Sequence, residues 1–486
     1  MKRMRKVGVT IAALGIIWMI LAAETKIATC SQEVKEEITV HMMITRTEEN
    51  IEDFDKVMEK VNDRMKEELN LQLKIDFMGT GTDSLLGYLS EHTDADLIVV
   101  SDVKDQVGKN MLVPIDDLLA EEGEAICEVL PEECLNLGKV EGVQYGVPLN
   151  RDMAAASGVT MRKDLVEKYQ IDLSQIKTWD DFEEVLEIVT KGEDIYGVAA
   201  DTLSPFDGLG GLGVLMSGEE EMTVVDYYET EEFRDWISRI ADWRKKGYLY
   251  DKEEVRYKKM NDRPFLYELI KEGKLFSYVV KYKPGIDAQE SKSAETELVS
   301  VMLTEPVMTT DSAASMQYAI YAESQHPREA MQVLNFLYED QGVINLLCWG
   351  IEGEHYEKNE DGTISYPSGK DESEVGYKFN VNWTLPNPYP AYVWEGDYLD
   401  LADRMYDFNQ SAKKSPALGF VFDNSNVSTE CETATEVVDM YVPGFLCGAF
   451  DVDQMLPRMI RELKESGIDL IIEEKQRQLD EWKKNK

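Results

Sequence analysis

The densest run of polar chemistry in the chain is an elbow, Asn150-Arg151-Asp152, held between two short extended runs. Tyr145-Gly146-Val147-Pro148 leads into it and is stopped by Pro148. Small residues, a second apolar run and a helix start at Arg162-Lys163-Asp164 follow. A polar elbow between extended runs is how a chain crosses from one lobe to another. It is also where a cleft between lobes receives polar side chains. Arg151 has a plainer alternative, as an ion-pair partner of Asp152 or of another acid. A second set is aromatic: Trp349, Tyr356, Trp383, Tyr389, Tyr392, Trp394 and Tyr398. Asn382-Trp383 and Pro386-Asn387-Pro388 read as loop. Loop Trp and Tyr can stack on the apolar face of a sugar ring while a nearby Asn, Asp or Arg bonds its hydroxyls. The alternative is that these rings plug a core.

Other chemistries find little support. The four histidines, His41, His92, His326 and His355, lack metal-ligand spacing, and no C-x-x-C occurs. No metal and no cofactor are expected. Gly208-x-Gly210-x-x-Gly213 matches a dinucleotide fingerprint only on paper, because a loop precedes it where a strand is needed. The turn at 357–362 is a poor calcium loop, with Ser368 where the twelfth-position carboxylate belongs. G-x-S-x-G, H-E-x-x-H and P-loop motifs are absent from the sequence. Among 94 acidic residues, carboxylate pairs arise by chance, so a glycosidase pair cannot be picked out.

The elements that position these residues lie in an exported, acidic chain. Lys2, Arg3, Arg5 and Lys6 precede an apolar run from Val7 to Ala23, the pattern of a secretory signal. Ile27-Ala28-Thr29-Cys30 has the form of a lipoprotein cleavage site, with cleavage near Ala22-Ala23 as the alternative. A formal net charge of −43 argues against nucleic acid as a partner and for a soluble monomer. Besides Cys30 there are five cysteines, an odd set that does not read as a disulfide framework. Most are expected to be reduced and buried.

Strand patterns at 38–43, 71–77 and 96–100 alternate with helical patterns at about 49–69 and 84–91, which is an α/β order. Thr178 reads as an N-cap, and Gly192 is placed to end the helix that follows it. A helix over 232–246 stops at Gly247, a strand covers 274–280, and 281–298 reads as loop. Tyr318–Tyr321 is a strand, Pro327 opens a helix, residues 359–362 form a hairpin turn, and helices broken at Gly467 end the chain.

Four stretches together carry a resemblance: the Cys30 export signal, YGVPLNRD with MRKDLVEKY and KTWDDFEEVL (145–186), HPREAMQVLNFLYEDQGVINLLCWGIEGEHYE (326–357), and the tail from GFVFDNSNVSTE to IIEEKQRQLDEW (419–482). The chain resembles the extracellular solute-binding lipoproteins of bacterial ABC importers, in the oligosaccharide-type group that includes the LplA-like lipoproteins. The resemblance implies an α/β periplasmic-binding-protein-like fold of type 2, with two lobes, a cleft between them and a three-segment hinge. Its implied layout is a signal peptide at 1–29, a linker at 30–37, lobe one at 38–148 and 305–345, and lobe two at 149–304 and 346–486. The expected crossings lie at Asn150-Arg151, 304–312 and 342–350. The implied cleft draws on Thr45, Arg46, Ser101, Asp102, Tyr145, Asn150, Arg151, Trp349, Glu352, Trp383 and Trp394.

The implied function is non-enzymatic capture of a solute, a saccharide or oligosaccharide, for delivery to ABC permease subunits. The implied location is the outer face of the cytoplasmic membrane, held by lipid on Cys30. A secreted polysaccharide-active enzyme and a glycan-binding sensor without a transport role are the alternatives.

Overall fold

The computed structural model describes residues 38–46, 51–79, 82–203, 206–216, 222–250 and 263–485. The expected signal peptide, the expected lipidation site Cys30 and the expected linker lie outside the described residues. Two mixed sheets carry the fold. Their strands, in chain order, are β1 Ile38–Thr45, β2 Leu71–Met78, β3 Leu97–Val100, β4 Gly146–Pro148, β5 Ala154–Arg162, β6 Tyr196–Ala199, β7 Leu275–Tyr282, β8 Leu298–Met302, β9 Val307–Met308, β10 Gln317–Ile320 and β11 Lys413–Lys414.

The first sheet has the order β2-β1-β3-β10-β4. All four residues of β3 are buried, as its apolar run requires of a strand covered on both faces. β3 pairs parallel with β1 through Met42 and Leu97, and antiparallel with β10 through Val100 and Gln317. The second sheet has the order β11-β9-β5-β7-β6, with β8 also on β5. β5 is its spine. Six of its residues, from Ala156 to Met161, register antiparallel with β7. Apart from Ile38 and Thr39 at the start of β1, both sheets lie within one compact unit, residues 40–486.

The helices begin and end where local chemistry sets them. Thr178 and Asp181 form a reciprocal capping box at the start of helix Trp179–Gly192. Thr230 caps helix Glu231–Lys246, and Gly247 closes it with φ 78°, a left-handed conformation that costs glycine little. Pro327 sits in the first turn of helix Pro327–Glu339. Trp179, Phe182, Trp236 and Trp243 then pack against one another, with ring centroids from 4.7 to 6.4 Å apart. C-terminal helices Ser428–Leu446 and Val452–Glu465 close the same core through Phe445, Leu456 and Met459.

Three expectations are corrected. Residues 281–298 are not loop throughout, because Ile286–Ala294 is a helix entered from Gly285 at φ 78°. The return from the second sheet comes later than 304. Val307–Met308 pairs antiparallel with Ala154–Ala155 and parallel with Lys413–Lys414, so it belongs to the second sheet. The chain therefore crosses to β10 through 309–316. Residues 346–395 do not leave the first sheet's side either. Arg64 holds Asp340 with two bonds of 2.6 Å, which fixes helix Gln341–Trp349 against helix Phe54–Leu69. The Tyr377 hydroxyl donates to the Leu347 carbonyl at 2.8 Å, and the Tyr318 hydroxyl to that of Thr384 at 2.9 Å. The chain first meets the second sheet's side at Trp394, whose ring lies 5.3 Å from the Lys292 ammonium, and joins it at Tyr398, whose hydroxyl bonds Asp287 at 2.6 Å. The third crossing thus lies at about 396–400, not 342–350.

Candidate ligand-binding site at the chain crossings

The elbow Asn150-Arg151-Asp152 follows directly from β4 and precedes β5. Its backbone is pinned from two directions. The Asn150 N–H donates to the Pro386 carbonyl at 2.8 Å. Asn409 accepts from the N–H groups of Met153 and Ala154 and donates to the Arg151 carbonyl at 2.8 Å. Asn150 also donates its side-chain amide to Asn387 at 3.0 Å, and Asn387 donates to the Tyr338 carbonyl at 2.6 Å. A rigid base beneath polar side chains is what precise ligand recognition needs.

Charge at the elbow is concentrated on one carboxylate. Arg151 Nε donates to Asp152 at 2.8 Å, and Lys283, just past β7, lies 3.3 Å from the other Asp152 oxygen. Burial pushes the Asp152 carboxyl up, but the Lys283 and Arg151 cations outweigh it and hold the group below its ordinary value. The Arg151 guanidinium also lies 5.9 Å from the ring centre of Trp383, which is 47% exposed. An exposed indole beside a guanidinium and a clamped carboxylate offers a stacking face and polar groups together.

The other expected residues fall in three places. Thr45 ends β1, and Ser101 and Asp102 follow β3; Asp102 caps helix Val103–Gly108 by accepting from Asp105 N–H at 2.9 Å. Tyr145 is half-buried just before β4. The register of β10 puts Gln317 opposite both Val100 and Pro148, so the end of β3 lies beside the elbow. Arg46 is buried, donates to the Lys378 and Phe379 carbonyls at 3.1 and 2.6 Å, and lies over the Phe77 ring. That arrangement ties 378–379 to the first sheet. Trp349, Trp394 and Glu352 form a separate group. Trp349 donates to the Tyr392 carbonyl at 2.8 Å and meets Trp394 edge-on at 5.6 Å. Trp394 is also flanked by Tyr366 at 4.5 Å and by the Lys292 ammonium at 5.3 Å. Glu352 is exposed and pairs with Lys358 at 2.9 Å.

Sequence reasoning missed Lys283, Asn409 and Lys292. A cation straight after a strand, in Lys283-Pro284-Gly285, was the available signal for the first. Nothing local marks Asn409. Behind the elbow, a small recess that opens to solvent is lined by Asn150, Met153, Met308, Tyr389, Asn409 and Lys414, among others. Lys414 pairs with Glu133 at its rim.

Among the described residues, no group of three or more His, Cys, Asp or Glu side chains is placed to hold a metal ion. His355 is buried and accepts from the Ile351 N–H at 2.9 Å through Nδ1, which leaves Nε2 to donate to Asp53 at 3.1 Å. The five cysteines beyond Cys30 are free thiols; Cys134, Cys348 and Cys447 are buried, whereas Cys127 is exposed. No helix among the described residues is long and apolar enough to cross a membrane.

Comparison with known proteins gives this geometry a setting. The chain is 23% identical over 456 residues to a carbohydrate ABC transporter substrate-binding protein of Streptococcus pneumoniae serotype 4, covering 90% of this chain and 89% of that one. Its fold resembles the N-glycan transport solute binding protein NgtS of Streptococcus pneumoniae, with TM-score 0.78 at 20% identity over 92% of this chain and 100% of the other. It also resembles an extracellular solute-binding protein of Bifidobacterium longum subsp. infantis, with TM-score 0.61 at 12% identity over 93% and 99% of the two chains. Residues 416–484 match a domain of unknown function. Residues 48–344, more than half of the sequence, match the family described as bacterial extracellular solute-binding protein, and the chain belongs to that family.

Proposed function

We propose that the protein captures a saccharide outside the cytoplasmic membrane and passes it unaltered to the permease subunits of an ABC importer. The observation that carries this reading is Trp383, an exposed indole set beside Arg151 where the chain crosses between its two sheets. A sugar ring stacks its C–H face on such an indole, while Arg151, Asn150 and Asp152 reach its hydroxyls. Ser101, Asp102 and Thr45 contribute from the strand ends of the first sheet nearest the elbow, whereas Tyr145 precedes Gly146 at the other end of β4 and lies farther off. Arg46, Trp349 and Trp394 shape the walls that hold Lys378–Phe379 and Tyr392, and Glu352 lies at their edge. The relative's description as a carbohydrate transporter component supports the ligand class. NgtS has been solved with Man1GlcNAc and with Man5GlcNAc, which makes oligosaccharides of that composition the first candidates. The protein acts as a monomer, anchored by lipid on Cys30.

Calorimetry against neutral and acidic oligosaccharides, Man1GlcNAc and Man5GlcNAc among them, tests the ligand class. Saturable binding with recovery of intact sugar is expected. Absence of heat with every saccharide would overturn it, and release of shortened products would replace capture with hydrolysis. Cys30→Ala is expected to move the protein from the membrane fraction to the medium.

A further inference from the structure

The C-terminal helix Ile468–Asn485 drives a fully buried lysine into the glycine-rich loop of the second sheet's side. Lys475 Nζ donates to the Leu212 and Gly213 carbonyls at 2.7 and 2.9 Å and approaches that of Gly208 at 3.3 Å. The backbone turns these carbonyls inward through positive φ at Gly210 (77°) and Gly213 (81°), which glycine adopts at little cost. A buried ammonium without partners is strongly unfavourable, so the loop and the helix hold each other in place.

The loop is bonded on its other side to a chain crossing. The Gly210 N–H donates to Asp311 at 3.0 Å. Asp311 sits in the turn Thr310–Ala313, at the start of the 309–316 crossing. The tail binds that turn directly as well, since the Gly419 N–H donates to the Thr310 hydroxyl at 2.8 Å. From the same turn, the Ser312 hydroxyl donates to the Met153 carbonyl at 2.6 Å, and Met153 closes the first crossing. The path from Lys475 to the ligand elbow is therefore Gly loop, Asp311, Ser312, Met153.

We infer that the C-terminal region 416–484 is a brace for the hinge, with Lys475 as the positioning residue that fixes the 309–316 and 149–153 crossings relative to each other. The brace limits where the crossings bend when the sheets close on a ligand. Hydrogen exchange on the unliganded full chain tests it without any saccharide, so its failure is separate from failure of the ligand assignment. In Lys475→Met, the amides of Gly210, Met153 and Ala154 are expected to exchange at least tenfold faster, while β1 and β3 keep their protection. If Lys475→Met does not fold, Asp311→Ala breaks the same path at an exposed bond and carries the same expectation for Met153 and Ala154. A merely structural lysine would loosen only the loop and helix Ile468–Asn485, or the whole chain evenly, and either result overturns the brace. Lys475→Met and Ser312→Ala combined are expected to give less than the sum of their separate effects on exchange at Met153 and Ala154, because they break one path. Additive effects would also overturn it.

Discussion

At the scale of single residues, the binding role proposed for the elbow can be separated from folding. Trp383 is 47% exposed, so removing its ring leaves little unburied. Trp383→Ala is expected to weaken saccharide affinity about tenfold, roughly 1.4 kcal/mol, while shifting Tm by less than about 2 °C. Calorimetry beside a thermal melt checks both, and a large Tm loss with unchanged affinity would make Trp383 a core residue. Lys475 gives a pH signature. Burial, only partly opposed by Cys431, Asp311 and Asp207, lowers its ammonium from the ordinary 10.5 to about 8. Between about pH 8 and 10.5 the unfolded chain then binds a proton that the folded chain does not, so this group's contribution to stability rises with pH across that window. Relative to Lys475→Met, the wild type is expected to gain at most about 3 kcal/mol from pH 8 to 10.5. Denaturant unfolding of both proteins at several pH values checks the slope, and a falling difference would place the ammonium in a favourable site.

At the scale of elements, what was legible in the sequence was what local chemistry decides. Thr178 with Asp181, Gly247, Pro327 and Gly467 mark helix ends because caps and φ preferences act within a few residues. The crossings were harder. β9 has only two residues, and its place in the second sheet depends on Ala154 and Lys413, both far away in the chain. Nothing near Val307 announces that pairing. The stretch 342–350 reads as a crossing because it contains glycine, but a glycine does not say where the chain goes next. Gly350 has φ 82°, and a Cβ on it would lie 2.4 Å from His355 Nδ1. Gly350→Ala would thus strain the backbone and push the ring that joins Ile351 to Asp53. A loss of roughly 2 kcal/mol is expected, read as a Tm decrease with the affinity of the elbow retained. An unchanged Tm would mean that the His355 contact yields without cost.

At the scale of the whole molecule, the candidate site arises from connectivity more than from any one motif. Arg151 and Trp383 could be picked from the sequence as a guanidinium in an elbow and an indole in a loop. That they meet, 5.9 Å apart, follows from residues 346–395 remaining on the first sheet's side until the chain crosses near Tyr398. Lys283 joins them because β7 runs antiparallel to β5 and so ends beside the elbow. A ligand held there would contact residues from both sides of the crossings, and its binding energy would add to whatever keeps the sheets together. A saccharide that binds only the folded chain raises its stability by RT ln(1 + [L]/Kd), about 2.7 kcal/mol at a hundredfold excess over Kd. The melt of the full chain is therefore expected to move up by a few degrees and to keep rising with the logarithm of sugar concentration. Arg151→Ala should flatten that dependence while leaving the unliganded melt nearly in place, because Lys283 remains beside Asp152. A Tm that responds equally in wild type and Arg151→Ala would locate the saccharide elsewhere on the protein, away from the crossings.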